Sequence, residues 1–494
     1  MKESNYFYDA MTPEALAKLE YIPTVCGLLE KCEKDYADLP AISNKTVTYT
    51  YAQLCERVAL RRGFLAGQGI KPGEKVAVMA RNSLDAMELY LAVLTGGYVL
   101  TMLPNALNAQ ALAGVTKKFG FSAMLVEDAF MPLTDGVECR VFPAASIGSE
   151  PAPMADVNKE TLAAIYFTGG TTGAPKGVML NHGALMRGAL NGCYQPGPTF
   201  GNIYIAMLPL SHIFGSVRGF LACLYTGSLI YTCEDMRAGV GDIPVVKPTT
   251  LVLVPGLVEI ILNIAKMKGK AFLGNLRMIL CGAAPVPPRL MSEARNFGVT
   301  LLAGYGLTEG SNLTTGNLDT DKYPESMGKV YPCQEYKVVN GELWIKGDNV
   351  MIGYYNEPEK TAEVLEDGWL KTGDLVRFDE NGFIYIVGRI KNLILLANGE
   401  NVSPEELEEL FYRNKFVKDC LVSEDTLNGQ PCIAVEILPY MPEFEGQTND
   451  QIEAKLREVT DGVNATLPAY ARIAKVKVRY EDFKRTGAMK IARN

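Results

Sequence analysis

"EKVAVMARNSLDAMELYLAVLTGGYVLTML", residues 74 to 103, is the stretch whose reading decides the fold. A short β-rich run, "EKVAVMA", passes into a helical pattern, "RNSLDAMELYLAVLTGG", and then into a second β-rich run, "YVLTML". The alternation continues with "NALNAQALAGVTKKFG" and "SAMLVED". Short strands separated by longer helical patterns are the signature of βαβ units around a mostly parallel sheet. A similar alternation returns with "IYIAMLPL", "SLIYT", "TTLVLVP" plus helix, and "LRMILCG" plus helix up to "VTLLAGYG". The expected architecture is therefore α/β, with two doubly wound sheets in a large N-terminal domain.

Around residue 325 the texture changes. "YKVVNGELWIKG" carries Asn340-Gly341 and "VRFDENGFIYIVG" carries Asn381-Gly382, both hairpin signals, so a β-barrel-like antiparallel subdomain is expected here. After Gly388 a small α+β unit follows. In "VSPEELEELFYRN", Ser403 reads as N-cap, Pro404 as the first helical residue and Glu406 as the residue completing a capping box. Strands "KDCLVSED" and "PCIAVEILP", a helix near 448 to 465 and the alternating "AKVKVRY" complete it. The expected division is 1–388 for the N-terminal domain and 389–494 for a small, mobile C-terminal domain. Neither internal repeats nor low-complexity segments are visible.

The 494 residues are 48% hydrophobic and 21% charged, the balance of a globular protein with ample core. A net charge of -8 argues against nucleic acid as a partner, because nothing would offset phosphate repulsion. Eleven cysteines at irregular spacing, without a C-x-x-C pair, fit reduced thiols and a cytoplasmic location. With only His182 and His212 in the chain, histidine-cluster metal sites and triads needing a spare histidine are nearly excluded. No stretch reads as a signal peptide or a membrane span. "TLVLVPGLVEIILNIA" is interrupted by Pro255, Gly256 and Glu259 and reads as a buried strand entering a helix.

"YFTGGTTGAPKG", residues 166 to 177, carries four glycines, three threonines and a lysine between Thr168 and Gly177. Glycines let backbone amides close on phosphate oxygens, threonines add hydroxyl donors, and Lys176 adds charge. A phosphate cradle is the natural reading, against a plain surface turn. It is no Walker A loop, since Lys176 lies between Pro175 and Gly177 rather than between Gly and Ser or Thr.

This stretch resembles the signature of the adenylate-forming (AMP-binding) superfamily, which includes acyl- and aryl-CoA synthetases, firefly luciferase and peptide-synthetase adenylation domains. Further motifs follow in order: "PLSHIFG" (209–215), "CGAAP" (281–285), "GYGLTEG" (304–310), "GWLKTGDL" (368–375), "GFIYIVGRIKNLILLANGENVSPEELE" (382–408) and "RTGAMKIAR" (485–493). Seven motifs in the family's order and spacing cover roughly residues 20 to 494. "GYGLTEG" alone could pass for a dinucleotide-binding G-x-G-x-x-G, but Glu309 stands where a pyrophosphate would sit.

The resemblance implies a reaction and its residues. Family members join a carboxylate to ATP, forming an acyl adenylate and pyrophosphate, and usually pass the acyl group to a thiol. Two anions must meet, so cations and fixed donors at the α-phosphate give the largest gain. By resemblance, Thr168, Gly169, Gly170, Thr171, Thr172, Gly173 and Lys176 belong to a mobile loop over the β- and γ-phosphates. Gly282, Ala283, Ala284 and Pro285 line the adenine, and Tyr305 and Gly306 complete the nucleotide site. Thr308 contacts the α-phosphate and Glu309 holds Mg²⁺, a carboxylate joining phosphate oxygens around a hard cation. Asp374 accepts the ribose hydroxyls with Arg389 beside it, and His212 borders the carboxylate pocket, while His182 reads as structural. Lys391 is the hinge about which the C-terminal domain swings. One orientation brings Lys490 to the carboxylate and α-phosphate, and the other presents the loop around Gly399 to the thiol. The chain departs from the family pattern at Gly169, Asn392, Leu395 and Met489.

Amino-acid activators usually carry an aspartate in the segment occupied here by "SHIFGS", so its absence favours an acid without an α-amino group. Acetate-specific relatives block the acyl tunnel with a tryptophan where this chain has Gly304 and Tyr305, so a longer fatty or aryl acid is expected. The thiol is CoA in the first reading and the phosphopantetheine of an acyl carrier protein in the second. A nucleotide-binding regulator without catalysis is disfavoured by intact Lys176, Glu309, Asp374 and Lys490, and a P-loop or dinucleotide-binding protein by the failed spacings.

Overall fold

The computed structural model describes residues 6–168, 175–396, 401–427 and 430–485, together with 491 and 493. Its largest sheet has seven strands in the order Gly353–Tyr354, Lys176–Asn181, Leu162–Thr168, Val99–Met102, Lys75–Met79, Ala123–Val126 and Arg140–Pro143. From Leu162–Thr168 to Arg140–Pro143 every pairing is parallel, and the other two strands are antiparallel. The opening stretch supplies the centre of this sheet, as its composition requires. Val76 and Val78 enter one core while Ala77 and Met79 enter another, so the strand is buried on both faces.

Between its two strands lies the helix Leu84–Thr95, capped by Ser83 and buried at every position from Ala86 to Thr95. A helix apolar all round belongs inside a molecule, and this one packs against Val25–Tyr36 and Tyr51–Gly67. Its one buried charge, Glu88, is met by Arg61 at 2.8 Å and by Arg57. That pairing keeps an otherwise costly carboxylate inside the core.

The second alternating region does not form a single sheet. Ile203–Ala206 and Leu229–Thr232 pair with Pro40–Ser43 and Thr48–Thr50 in a four-stranded sheet. Thr250–Leu253, Met278–Cys281 and Thr300–Tyr305 run parallel in another, extended by antiparallel Thr315–Asn317 and Lys329–Val330. The two meet edge to edge, where Thr249 N–H donates to Ile203 O at 2.9 Å. Buried Asn202 pins the seam, its Oδ1 accepting from Thr249 at 2.9 Å and Thr250 at 3.3 Å. Sequence periodicity sees strands but not the break between sheets.

The antiparallel region holds Glu335–Val339, Glu342–Lys346, Trp369–Phe378, Leu365–Glu366 and Ile384–Arg389. Asn340 and Gly341 adopt φ of 51° and 84°, the pair of positive values that a two-residue hairpin turn of this twist needs. The later hairpin has a longer loop, in which Asp379 Oδ1 accepts from the amides of Asn381 and Phe383 at 2.9 Å each.

After Ile384 the main core ends, and a separate one begins at Ile394 and runs to Ile473. It lies among the helices Pro404–Tyr412 and Asn449–Thr466 and the strands Val417–Leu427, Gln430–Pro439 and Ile473–Val478. Ser403 caps the first helix, accepting from Glu406 N–H at 3.3 Å, but the Glu406 side chain does not complete the box. Ser403 Oγ instead lies 3.3 Å from Glu405 Oε2, which leaves half of the expected cap. Among the described residues no helix is long and apolar enough to cross a membrane.

Candidate active site

Asp374 and Arg389 face each other in register on neighbouring strands, so the hairpin itself brings acid and base together. Asp374 is fully buried. Its Oδ2 accepts from Tyr305 Oη at 2.5 Å and from Arg389 Nη2 at 3.2 Å. Arg389 Nε lies 2.5 Å from Oδ1 without the alignment of a hydrogen bond, which leaves Oδ1 a buried acceptor with none. Burial, reinforced by the Asp374 charge, raises the Tyr305 phenol well above its ordinary range, so it stays a donor. Burial alone would weaken the Arg389 charge, but Asp374, Tyr305 and Glu309 outweigh it and raise the guanidinium pKa.

A second group joins Lys176, Tyr354 and Glu309. Strand Gly353–Tyr354 pairs with Lys176–Asn181, and Lys176 Nζ stands 4.7 Å from the centre of the Tyr354 ring. Tyr354 Oη donates to Glu309 Oε1 at 2.8 Å. Burial and the Glu309 charge push this phenol upward as well. Thr168 pairs with Lys176 at the mouth of the glycine-rich hairpin. Because Arg389 feels Glu309 as well as Asp374, both groups share one electrostatic neighbourhood.

The loops between them are shaped by backbone constraints. Thr308 and Glu309 lie in the short turn Thr308–Gly310, followed by Ser311 and Asn312 with φ of 50° and 83°. A Cβ on Gly306 would stand 1.2 Å from Asn312 O, so only glycine closes this turn. Gly282, Ala283, Ala284 and Pro285 follow strand Met278–Cys281, and Ala283 holds φ of 66°, a strained value for a residue with a side chain. A Cβ on Gly282 would lie 3.3 Å from the Phe214 ring. Phe214 opens the π-helical segment Phe214–Leu221, an uncommon backbone form frequent at functional sites. His212 stands just before it, its carbonyl accepting from Ser216 N–H at 3.0 Å.

The remaining expected residues divide clearly. Lys391 is exposed in the turn Ile390–Asn392, between the antiparallel sheet and the next strand. Gly169, Gly170, Thr171, Thr172, Gly173, Gly399 and Lys490 lie outside the described residues. The flanks of Lys490 are tied down: Arg485 pairs with Ile491 as a β-bridge and binds Asp419 at 2.5 Å, while Arg493 binds Glu408 at 2.5 Å. His182 is buried, its Nδ1 accepts from Val25 N–H at 3.3 Å, and burial lowers its pKa to about 4, which suits a neutral structural role.

Tyr354 and Phe214 were missed by motif reading. Tyr354 sits in "MIGYYNEPEK", where the only signal is a glycine beside two aromatics. Its value appears when the two-residue strand Gly353–Tyr354 joins the edge next to Lys176. Phe214 lay inside a quoted motif, but only the approach of Gly282 gives its ring a purpose.

Toward a nucleotide the site offers the buried Asp374 carboxylate, whose Oδ1 meets Arg389 without an aligned hydrogen bond, and Gly282 set against the Phe214 ring. Among the described residues no cluster of three His, Cys, Asp or Glu could cage a metal ion. Mg²⁺ is usually held by one or two carboxylates together with substrate phosphates and water, and Glu309 is a carboxylate of this site held by Tyr354.

Comparison with known proteins supplies the family. Residues 29–355 match the model of the AMP-binding enzyme family, and residues 391–494 match that of the AMP-binding enzyme C-terminal domain. The medium-chain fatty-acid–CoA ligase of Escherichia coli K12 is 30% identical, the match covering 80% of this chain and 78% of that protein. The 2-succinylbenzoate–CoA ligase of Bacillus cereus Q1 is 28% identical over 77% of this chain and 82% of its own. In fold, the chain is similar to the anthranilate CoA ligase AuaEII in complex with anthranoyl-AMP, with a TM-score of 0.84, 20% identity and 96% of each chain covered. It is also similar to the o-succinylbenzoate CoA synthetase of Bacillus subtilis in complex with ATP and magnesium, with a TM-score of 0.79, 22% identity, and 94% of this chain and 98% of that one covered. The chain belongs to the AMP-binding enzyme family.

Proposed function

We propose that this protein is an AMP-forming acid–CoA ligase acting on a fatty or aryl carboxylic acid without an α-amino group. The observation that carries this reading is the Asp374 carboxylate, buried between Tyr305 and Arg389, with Arg389 also in the field of Glu309. The CoA-ligase relatives support the thiol assignment.

In the first half-reaction, a carboxylate oxygen of the acid attacks the α-phosphorus of ATP. The bond to the bridging oxygen breaks, and pyrophosphate leaves with the bonding pair. Asp374 holds the ribose, Lys176 and the adjoining loop hold the outer phosphates, and Thr308 donates at the α-phosphate. Glu309 would hold Mg²⁺ together with the substrate phosphates, and the ion would supply charge neutralisation there. Tyr354 steadies Glu309 through its 2.8 Å hydrogen bond. Lys490 brings a cation between the two reacting anions. In the second half-reaction, the CoA sulfur attacks the acyl carbon, the thiol proton passes to solvent, and AMP leaves with the carboxylate oxygen.

The proposed domain division is 1–388 and 389–494, with Lys391 at the hinge. The change of hydrophobic core between Ile384 and Ile394 supports it, as does the exposed turn between them.

Pyrophosphate release across a panel of fatty and aryl acids, with and without CoA, tests the function. Acid-dependent release with an acyl-CoA product is expected. Release that CoA leaves unchanged, with no thioester formed, would point to a carrier-protein thiol, and silence with every acid would sink catalysis. Lys490→Ala should slow adenylate formation roughly 10²- to 10³-fold, comparable to losing an oxyanion donor, and spare transfer from supplied acyl adenylate. Equal loss in both half-reactions would remove Lys490 from its assigned role.

A further inference from the structure

Lys118 is the last residue but one of the helix Ala109–Phe119, which Asn108 caps at its start and Gly120 closes in the left-handed conformation. Its ammonium reaches two distant parts of the chain at once. Nζ donates to Pro175 O at 3.0 Å and to Glu357 Oε1 at 2.9 Å, partners 57 and 239 positions away. Surface pairs such as Lys31 with Asp35 and Lys455 with Glu458 join neighbours on one helix and are worth little. Lys118 instead ties three separate segments together.

What it ties is the root of the glycine-rich hairpin. The last register pair there is Thr168 with Lys176, so Pro175 lies just beyond the ladder, with no backbone N–H of its own. Its carbonyl, one residue before Lys176, is held by Lys118. The other end of this clamp is equally close to the site. Glu357 N–H donates to Tyr354 O at 3.2 Å, and Tyr354 N–H donates to Thr361 Oγ1 at 2.9 Å. Tyr354 in turn carries the ring 4.7 Å from Lys176 Nζ and the hydroxyl bonded to Glu309. The contacts therefore close into a ring, from Lys118 through Pro175, Lys176, Tyr354 and Glu357 back to Lys118. Beneath it the packing is tight. Phe119 is fully buried and stacks on Tyr355 with ring centres 5.3 Å apart, and a Cβ on Gly177 would stand 2.5 Å from Phe119 Cε1. Tyr355 N–H donates to Gly177 O at 2.7 Å, which fastens the strand after Lys176 to the same base. Side chains carried on a packed helix hold a site more precisely than those on a loop.

We propose that Lys118 is a positioning residue, which fixes the backbone at Pro175 against Glu357 and so sets where Lys176 meets the outer phosphates of ATP. This rests on the acid-activating function proposed above, in which Lys176 holds those phosphates. Lys176 is a compact charge on a flexible four-carbon stem, so where that charge points depends on how firmly its backbone is held. In this role Lys118 contacts neither nucleotide nor acid. Its effect is confined to nucleotides that carry the outer phosphates, and AMP does not.

The test compares ATP with AMP, each with Mg²⁺ present, as binding affinities measured by calorimetry on the full-length protein. Lys118→Met keeps the stem and deletes the charge. It should weaken ATP binding roughly 10-fold, the size of one charge-assisted hydrogen bond, and leave AMP binding unchanged. Lys118→Arg should retain most of the ATP affinity, and Glu357→Ala, which removes the other end of the clamp, should weaken ATP in the same direction. Combined with Lys176→Met, Lys118→Met should have no further effect, because it acts through Lys176. Unchanged ATP affinity in Lys118→Met overturns the inference, and so does equal loss for ATP and AMP, the result a merely structural lysine gives. Losses that add in the double variant overturn it too. If Lys118→Met does not fold, Glu357→Ala decides, and an unaltered ratio of ATP to AMP affinity there overturns the clamp. Pyrophosphate release that fails with every acid would sink the ligase function while leaving this nucleotide comparison readable, so the two failures are distinct.

Discussion

Asp374 and Glu408 are both buried carboxylates met by one arginine, and they differ in where the arginine comes from and in what is left over. Asp374 takes Arg389 from the neighbouring strand, in register, fifteen positions on. Glu408 takes Arg493 from the end of the chain, across 85 positions. At Glu408 both oxygens are used: Oε1 accepts from Val422 N–H at 2.7 Å, and Oε2 binds Arg493 at 2.5 Å. At Asp374 one oxygen, Oδ1, meets Arg389 only as an ion pair, without an aligned hydrogen bond. A carboxylate with a hydrogen bond to each oxygen fastens chain to chain, while one short of an aligned donor can still accept from a ligand hydroxyl.

Four measurements can break or sharpen that contrast. The largest effect is expected for Asp374→Ala, which removes the buried carboxylate and strands Arg389. It should lower kcat/KM for ATP roughly 10²- to 10³-fold without altering the preference among acids. Unchanged ATP dependence would reduce Asp374 to the same structural class as Glu408. Tyr305→Phe keeps the ring and deletes one donor to the carboxylate, so a loss of about 10-fold in the same parameter is expected, a hydrogen bond to a charged group being at stake.

On the other side of the comparison, Arg493→Ala should leave ATP binding intact and lower stability by about 1–2 kcal/mol in denaturant unfolding. The figure is modest because burial already raises the Glu408 carboxyl, so little charge is stranded when its partner is lost. It should also slow adenylate formation, because Arg493 follows Lys490 by three residues and is itself bound to Glu408. An ATP affinity that falls with Arg493→Ala would show that the two sites are coupled.

The smallest effect is a pH signature. Burial, opposed by Arg493 and by the Val422 amide, raises the Glu408 carboxyl to about 8 from an ordinary value of 4.5. The folded state thus holds a proton that the unfolded chain has released. Its contribution to stability is complete below about pH 4.5 and is lost as pH rises through about 8. Glu408→Gln cannot titrate and should flatten the dependence of Tm on pH between 5 and 9. An identical slope in both proteins would assign that dependence elsewhere.

Much of this was legible in the chain itself. The βαβ rhythm from Lys75 onward, the Asn340-Gly341 turn and the small C-terminal unit after Gly388 follow from periodicity and turn chemistry, which act locally. Asp374, Arg389, Glu309 and Lys176 could be named because they lie in motifs whose chemistry is carried by residue type. The split of the second sheet at Thr249 was not legible, since strand propensity does not say which edge a strand will join. Nor was the half-formed cap at Ser403, where Glu406 matches the spacing but its side chain does not reach back.

By itself, the sequence determined the order of the elements, the phosphate-binding chemistry and the residue types required around a nucleotide, because propensity, turn geometry and charge are properties of short stretches. Only the tertiary structure decided that Tyr354 stands between Lys176 and Glu309, and that Asp374 is buried between Tyr305 and Arg389. Each of these depends on groups brought together from distant parts of the chain and cut off from water. Burial makes an unmet charge or acceptor costly, and that cost is what turns a side chain into a site.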